Sequence, residues 1–219
     1  MLAILWKDLR IELRTKETLA AFLLLGLLTL IVLSFAFDPT SQLREAAAPG
    51  VLWVAVIFAG TLGMNRSLLR EREADCLQGL LLAPVDRGAI YLAKTAGNFL
   101  VMVAAQIVLV PIFVFLFNLP LWLTLVQVAP VVLLGLLGFA AVGTLFAAVS
   151  LRTRAREVML PLLMLPLAAP LVIAGIQASA ALMAGQSFGD VAHWLNLLAA
   201  FDAVFLVVGW MAFEYVVEE

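Results

Sequence analysis

Six long apolar stretches, each ended by a short polar interval, dominate the chain. They fall near residues 19–37, 49–64, 90–117, 121–150 and 158–184, with the sixth inside 191–217. About 20 apolar residues in a helix match the hydrocarbon thickness of a bilayer. The pattern therefore predicts six membrane-spanning helices. Several stretches exceed that length, so tilt or short interfacial pieces are expected. Asp38-Pro39 ends the first stretch, Pro49-Gly50 opens the second, and Asn118-Leu119-Pro120 separates the third from the fourth. Ala55, Ala59 and Gly63 recur every four residues, and Gly135, Gly138 and Gly143 mark the fourth stretch. Small residues at such positions let helices approach closely. Pro161, Pro166 and Pro170 each remove a backbone donor from the fifth, which is expected to be kinked or broken.

Residues 1–17 follow another rhythm. Leu2, Leu5, Trp6, Leu9 and Leu13 recur at helical spacing on one face, with Lys7, Arg10 and Arg14 on another. This predicts an amphipathic helix at a membrane interface. The longest polar interval, residues 65–88, opens with Arg66, Arg70, Glu71, Arg72, Glu73 and Asp75. It turns apolar at Leu77, Leu80, Leu81 and Leu82 and stops at Pro84. Leu77, Leu80 and Leu81 share a helical face. Two readings fit: a surface helix offered to a cytosolic partner, or a solvated loop packing its leucines on the bundle.

Charge supplies direction. Of the 13 Lys and Arg, 12 fall on alternate intervals, in the groups Lys7 to Lys16, Arg66 to Lys94 and Arg152 to Arg156; Arg44 is the exception. Positive charge resists translocation, so the rich side is expected to be cytoplasmic, with both termini there. A composition of 65% hydrophobic and 13% charged residues excludes a soluble domain. Six spans leave little chain for a soluble catalytic unit, and no linker or repeat divides residues 1–219, which read as one transmembrane domain. The net charge of −2 gives no pointer to nucleic acid. One cysteine, Cys76, excludes an internal disulfide and a multi-cysteine metal cage. No cleavable signal is expected, since residues of both charge signs precede the first apolar run.

Few residues carry candidate chemistry. Gly88 to Lys94-Thr95 resembles a phosphate-binding loop but has Ala93 in place of the second glycine and no preceding strand, so Lys94 is expected to snorkel to the interface. His193, the single histidine, lies beside Trp194; it is a candidate haem ligand or an ordinary interfacial pair. Asp202 is the one acid expected in or near the apolar region. It is a functional candidate, or a residue at the start of the sixth span facing the positive helix end. Asn98 and Gln106 are expected to bridge helices. Arg152, Arg154 and Arg156 serve topology, with anionic lipid or a partner as a secondary role. No catalytic, metal or cofactor-binding residue is assigned.

The chain resembles the haem exporter protein B family, membrane subunits of the ABC transporter in bacterial cytochrome c maturation. The resemblance is carried by Lys7-Asp8-Leu9-Arg10-Ile11-Glu12-Leu13-Arg14 and Ala48-Pro49-Gly50-Val51-Leu52-Trp53-Val54. It continues in Leu77-Gln78-Gly79-Leu80-Leu81-Leu82-Ala83-Pro84, Tyr91-Leu92-Ala93-Lys94, Leu160-Pro161-Leu162-Leu163-Met164-Leu165-Pro166-Leu167 and the final Glu218-Glu219. Asp75-Cys76-Leu77-Gln78 departs from the Asp-Gly-Ser/Thr-Leu-Glu turn of many members. The resemblance implies an ABC-2-like permease that pairs as two copies in the bacterial inner membrane. It implies that two separate cytosolic ATPase subunits, which hold the ATP, dock on coupling helices. Here those would be residues 66–83, with Arg70, Arg72, Asp75, Leu77, Leu80, Leu81 and Pro84 as contacts. A haem-handling membrane subunit and a periplasmic haem chaperone are implied partners, with haem in the complex and ATP hydrolysis tied to release of the loaded chaperone. A permease for lipid, polysaccharide or drug shares the same derived features; an autonomous secondary transporter or channel would need ion-binding polar groups at the midplane, where the chain offers little beyond Asp202, Asn98 and Gln106.

Overall fold

The structure is a computed structural model that describes residues 1–37, 42–73, 86–150 and 156–218. Side chains are described over 1–37, 43–64, 86–120, 124–149 and 164–214. Among the described residues seven helices follow in order: α1 (Leu2–Thr15), α2 (Glu17–Ala36), α3 (Gln42–Glu73), α4 (Arg87–Leu116), α5 (Leu121–Ser150), α6 (Arg156–Met183) and α7 (Ala192–Glu218). Helices α2 to α7 are each long and apolar enough to cross a membrane. The protein is an all-α, multi-pass membrane protein. The six spans alternate in direction, so one end of the bundle gathers α1, the end of α3 and the start of α4, and is called the basic end below.

Helix α5 is the most enclosed span and touches α3, α4, α6 and α7. Lipid tails are as apolar as leucine, so close packing rather than hydrophobic burial must hold helices together. Its glycines provide that closeness. Trp53 of α3, fully buried, fills the space beside Gly135 of α5 and Gly175 of α6. Its indole nitrogen donates to Ser179 Oγ at 3.1 Å, satisfying the ring's one polar atom. Gly143 receives Met64 and Met164 in the same way. Between α2 and α3, Gly26 lies against Ala59, and Gly63 against the ring of Phe22.

The connections follow their sequence chemistry. Asn118 takes a left-handed conformation (φ 53°) in the turn closing α4, which asparagine tolerates better than most residues. Gly185 (φ 86°) closes α6, with Gln186 N–H bonded to Ala181 O, the usual glycine stop of a helix. Arg44, among the described residues the one cation away from the basic end, donates to the carbonyl of Leu116 and lies 5.3 Å over the Phe117 ring. It thereby neutralises the negative end of α4.

Three expectations change. Pro49 does not open the second span: α3 starts at Gln42, because helix-favouring residues and the anchored Arg44 precede the proline. Of the two outcomes expected for the fifth span, the break is absent: α6 runs as one helix through its three prolines. The sixth span lies where expected and begins at Ala192, so Asp202 is not a residue at its start.

Adding a methyl at Gly135 or Gly175 drives it into the Trp53 ring. Gly135→Ala and Gly175→Ala are each expected to lower stability by about 1–3 kcal/mol. Thermal unfolding of the detergent-solubilised protein measures it. Gly50→Ala, with open space around it in α3, serves as the control and is expected to hold or raise stability.

Candidate functional site

The basic end is assembled around α1. Its buried face is not the leucine face that the periodicity suggests. Ile4 and Glu12 are buried, Leu5, Asp8 and Leu9 are half-buried, and Leu2, Trp6 and Leu13 are exposed. An ion pair sets this rotation: Lys94 Nζ of α4 lies 2.9 Å from Asp8 Oδ2, and Lys7 Nζ 3.2 Å from Asp8 Oδ1. Lys94 therefore does not snorkel. It is buried within a continuous helix, and residues 88–95 form no loop.

Glu12 performs a second task. Its carboxylate accepts from the backbone N–H of Leu19 at 2.8 Å, in the first turn of α2, where donors lack helical partners and negative charge is favoured. Its carbonyl accepts from Lys16 N–H at 2.7 Å across the left-handed Lys16 (φ 56°) that alone separates α1 from α2. Asp8 and Glu12, four residues apart, thus point one way into the protein. Two acids interrupting a basic helix at i, i+4 were the available sequence signal.

Above this layer a second set of polar contacts ties α4 to α5 and α7. The buried Tyr91 hydroxyl lies 3.0 Å from Ala141 O and 3.2 Å from Phe205 O, sharing its donor between two helices. Its ring packs where Gly209 leaves room, 5.7 Å from the Phe213 ring. Asn98 Nδ2 donates to Thr144 Oγ1 at 3.0 Å, the expected bridge. Gln106 forms no such bridge, and its Oε1 has no hydrogen-bond partner among the described residues.

Arg70 and Arg72 fall in the last turns of α3, which continues past the span ending at Met64. Nine further residues extend it about 13 Å. Asp75, Leu77, Leu80, Leu81 and Pro84 lie outside the described residues, as do Arg152 and Arg154. His193 is exposed at the start of α7 with its ring 4.7 Å from Trp194. Among the described residues no group of three His, Cys, Asp or Glu comes together.

Asp202 is not at a helix start. It lies ten residues into α7, near the middle of the span Ala192–Glu214, about 15 Å along the helix from its first residue. Its carboxylate is buried against Gly138 of α5, and neither oxygen has a hydrogen-bond partner among the described residues. A charge held so deep without a partner costs several kcal/mol. His193 and Asp202 are nine residues apart on one helix and form no joint site. Outside the membrane, the Ser187 hydroxyl (2.7 Å) and N–H (3.0 Å) both donate to Asp190 Oδ2, holding that exposed carboxyl below the usual carboxylate range. The stabilisation is present above the ordinary carboxylate pKa and is lost as pH falls through the lowered one.

Asp8→Asn leaves Lys94 without its carboxylate and is expected to weaken docking of α1 by about 1.5–3 kcal/mol. Hydrogen exchange over residues 2–15 reads the loss, and adding Lys94→Met recovers part of it. Asp202→Leu removes two unpartnered oxygens, so its melting temperature is expected to match or exceed that of the parent. A drop would mean that the carboxyl is held by a bond the fold needs.

The family model described as CcmB protein matches residues 1–219. Heme exporter protein B of Bradyrhizobium diazoefficiens is 27% identical over 208 residues, 94% of this chain and 92% of that protein. The Rhodobacter capsulatus protein of the same name is 28% identical over 181 residues, 81% of each. That of Pseudomonas aeruginosa is 27% identical over 201 residues, 90% of this chain and 88% of the relative.

Proposed function

The chain belongs to the CcmB protein family, and on that premise we propose that it is the non-catalytic membrane subunit of an ABC transporter complex acting in haem export for cytochrome c maturation. The match over the full 219 residues carries this reading. Names of relatives that cover most of both chains support the haem assignment. Six spans with little chain outside them fit a subunit whose energy source is another protein.

In this reading ATP is bound and hydrolysed by separate cytosolic ATPase subunits, and haem is the cargo of the complex. Two copies of this chain pair in the bacterial inner membrane, with both termini in the cytoplasm. The 65–88 segment receives the ATPase through Arg70, Arg72, Asp75, Leu77, Leu80, Leu81 and Pro84. The extension of α3 past Met64 supports this, because it carries the chain clear of the hydrocarbon toward that segment. A haem-handling membrane subunit and a periplasmic haem chaperone complete the assembly, and hydrolysis drives release of the loaded chaperone.

Leu77→Asp and Leu81→Asp are expected to abolish association with the ATPase while membrane insertion stays intact. Co-purification of the tagged variants from native membranes, with the ATPase quantified, checks it; normal recovery would refute the assignment. Deleting the protein is expected to remove c-type cytochromes, measured by haem staining of membrane fractions. Their persistence would point to another cargo.

A further inference from the structure

Helix α1 sorts its charges between two sides. Its carboxylates, Asp8 and Glu12, both point into the protein, where Lys94 and the Leu19 N–H engage them. On the far side lie the exposed Arg10 and Arg14, with the half-buried Lys7 beside them. Lys7 also reaches Asp8 Oδ1. Positions 3, 7, 10 and 14 fall at i, i+4, i+7 and i+11, so Ala3, Lys7, Arg10 and Arg14 make one strip along the helix. The exposed Leu2, Trp6 and Leu13 make a second strip next to it. Among the described residues, Ala3, Trp6, Lys7, Arg10, Ile11 and Arg14 line an open pocket of about 380 Å³ on this side. Ala3, the smallest of them, leaves the space between the cations unfilled. Glu17, also exposed, starts α2 beyond the left-handed Lys16 and so lies on another helix axis.

We propose that this pocket binds the phosphodiester headgroup of an anionic phospholipid, whose acyl chains run along Leu2, Trp6 and Leu13. Position and composition choose the occupant. Lys16 alone separates α1 from the spanning helix α2, and the Asp8–Lys94 pair fastens the middle of α1 to α4. The helix is thereby held where the bilayer begins. Guanidinium groups suit phosphate because each presents N–H donors in a fixed fork. A free phosphate would use the cations and leave the apolar strip in water. An acidic soluble protein would do the same unless it also carried a matching apolar face. A phospholipid brings the anion and the hydrocarbon together, and a Trp ring is favoured at their boundary. A zwitterionic lipid carries a cation on the same headgroup, which three basic residues disfavour. General attraction to a charged surface needs no pocket; a pocket between named cations holds one lipid at a time. The site does not depend on what the complex carries.

Native mass spectrometry of the full chain, titrated in detergent with phosphatidylglycerol or phosphatidylcholine, tests it. Tighter retention of phosphatidylglycerol is expected. Arg10→Gln and Arg14→Gln are each expected to weaken that retention about threefold to tenfold, and Ala3→Phe to weaken it without any change of charge, by filling the pocket. Lys16→Gln removes an exposed cation of the same segment that does not line the pocket, and is expected to change retention by less than about twofold. An equal loss in Lys16→Gln would mean diffuse attraction and would overturn the proposal. Residues 3, 10 and 14 are exposed, so hydrogen exchange over residues 2–15 is expected to match the parent in all three variants. Undocking of α1 in all of them would make these residues structural and sink the site. Equal retention of phosphatidylcholine, or displacement of the lipid by millimolar inorganic phosphate, would also overturn it. So would unchanged lipid retention in variants that have instead lost an acidic cytosolic protein.

Discussion

In a bilayer the hydrophobic effect does not press one helix onto the next, so this bundle depends on how closely its backbones can approach. The seat of Trp53 between Gly135 and Gly175 is where that constraint is met most fully. One indole on α3 contacts both α5 and α6 because those helices offer no side chain there, and its N–H is satisfied by Ser179. A larger residue at either glycine would separate three helices at once. Met64 against Gly143, Phe22 against Gly63 and Tyr91 against Gly209 repeat the arrangement at other levels. A large side chain on one helix meets a glycine on another, and little polar surface is left without a partner.

Against that background the exceptions carry information. Asn98, Tyr91, Ser179 and Arg44 all bond across helices. Gln106 Oε1 and the Asp202 carboxylate have no such partner among the described residues, although both are buried in spans. They differ in surroundings. Asp202 is enclosed between α5 and α7, whereas Gln106 borders a groove between α4 and α5 that opens sideways. The enclosed group must be accommodated by the bundle itself.

The six spans were legible because runs of about 20 apolar residues have one stable solution in lipid. The helix at residues 2–15 was legible from its period. Its rotation was not, since apolar periodicity marks a stripe without saying whether lipid or protein covers it. The buried Lys94 pairs with Asp8, 86 positions away in sequence, and no local pattern reports such a pair. Pro49 and the prolines of α6 misled for the opposite reason: tertiary contacts keep a helix going where propensity alone would end it. Asp202 stands out in the sequence as an acid within an apolar run, but its depth depends on where that helix begins, at Ala192. Of the proposed ATPase contacts, Arg70 and Arg72 fall within a described helix, and the rest rely on the sequence.

The unbroken course of α3 gives it the properties of a lever. It is one rod of 32 residues, from Gln42 to Glu73, about 48 Å long. Trp53, wedged at a point about 17 Å from one end and 30 Å from the other, is the natural fulcrum. Were the rod to pivot there, a push on Glu73 would reach Gln42 in the opposite sense and at roughly half the amplitude, less whatever the bond missing at Pro49 lets the short arm flex. At that shorter arm sits Arg44, bonded to the Leu116 carbonyl that ends α4. Force applied where the chain leaves the membrane on one side would therefore be delivered, reversed and reduced, to the closing turn of α4 on the other.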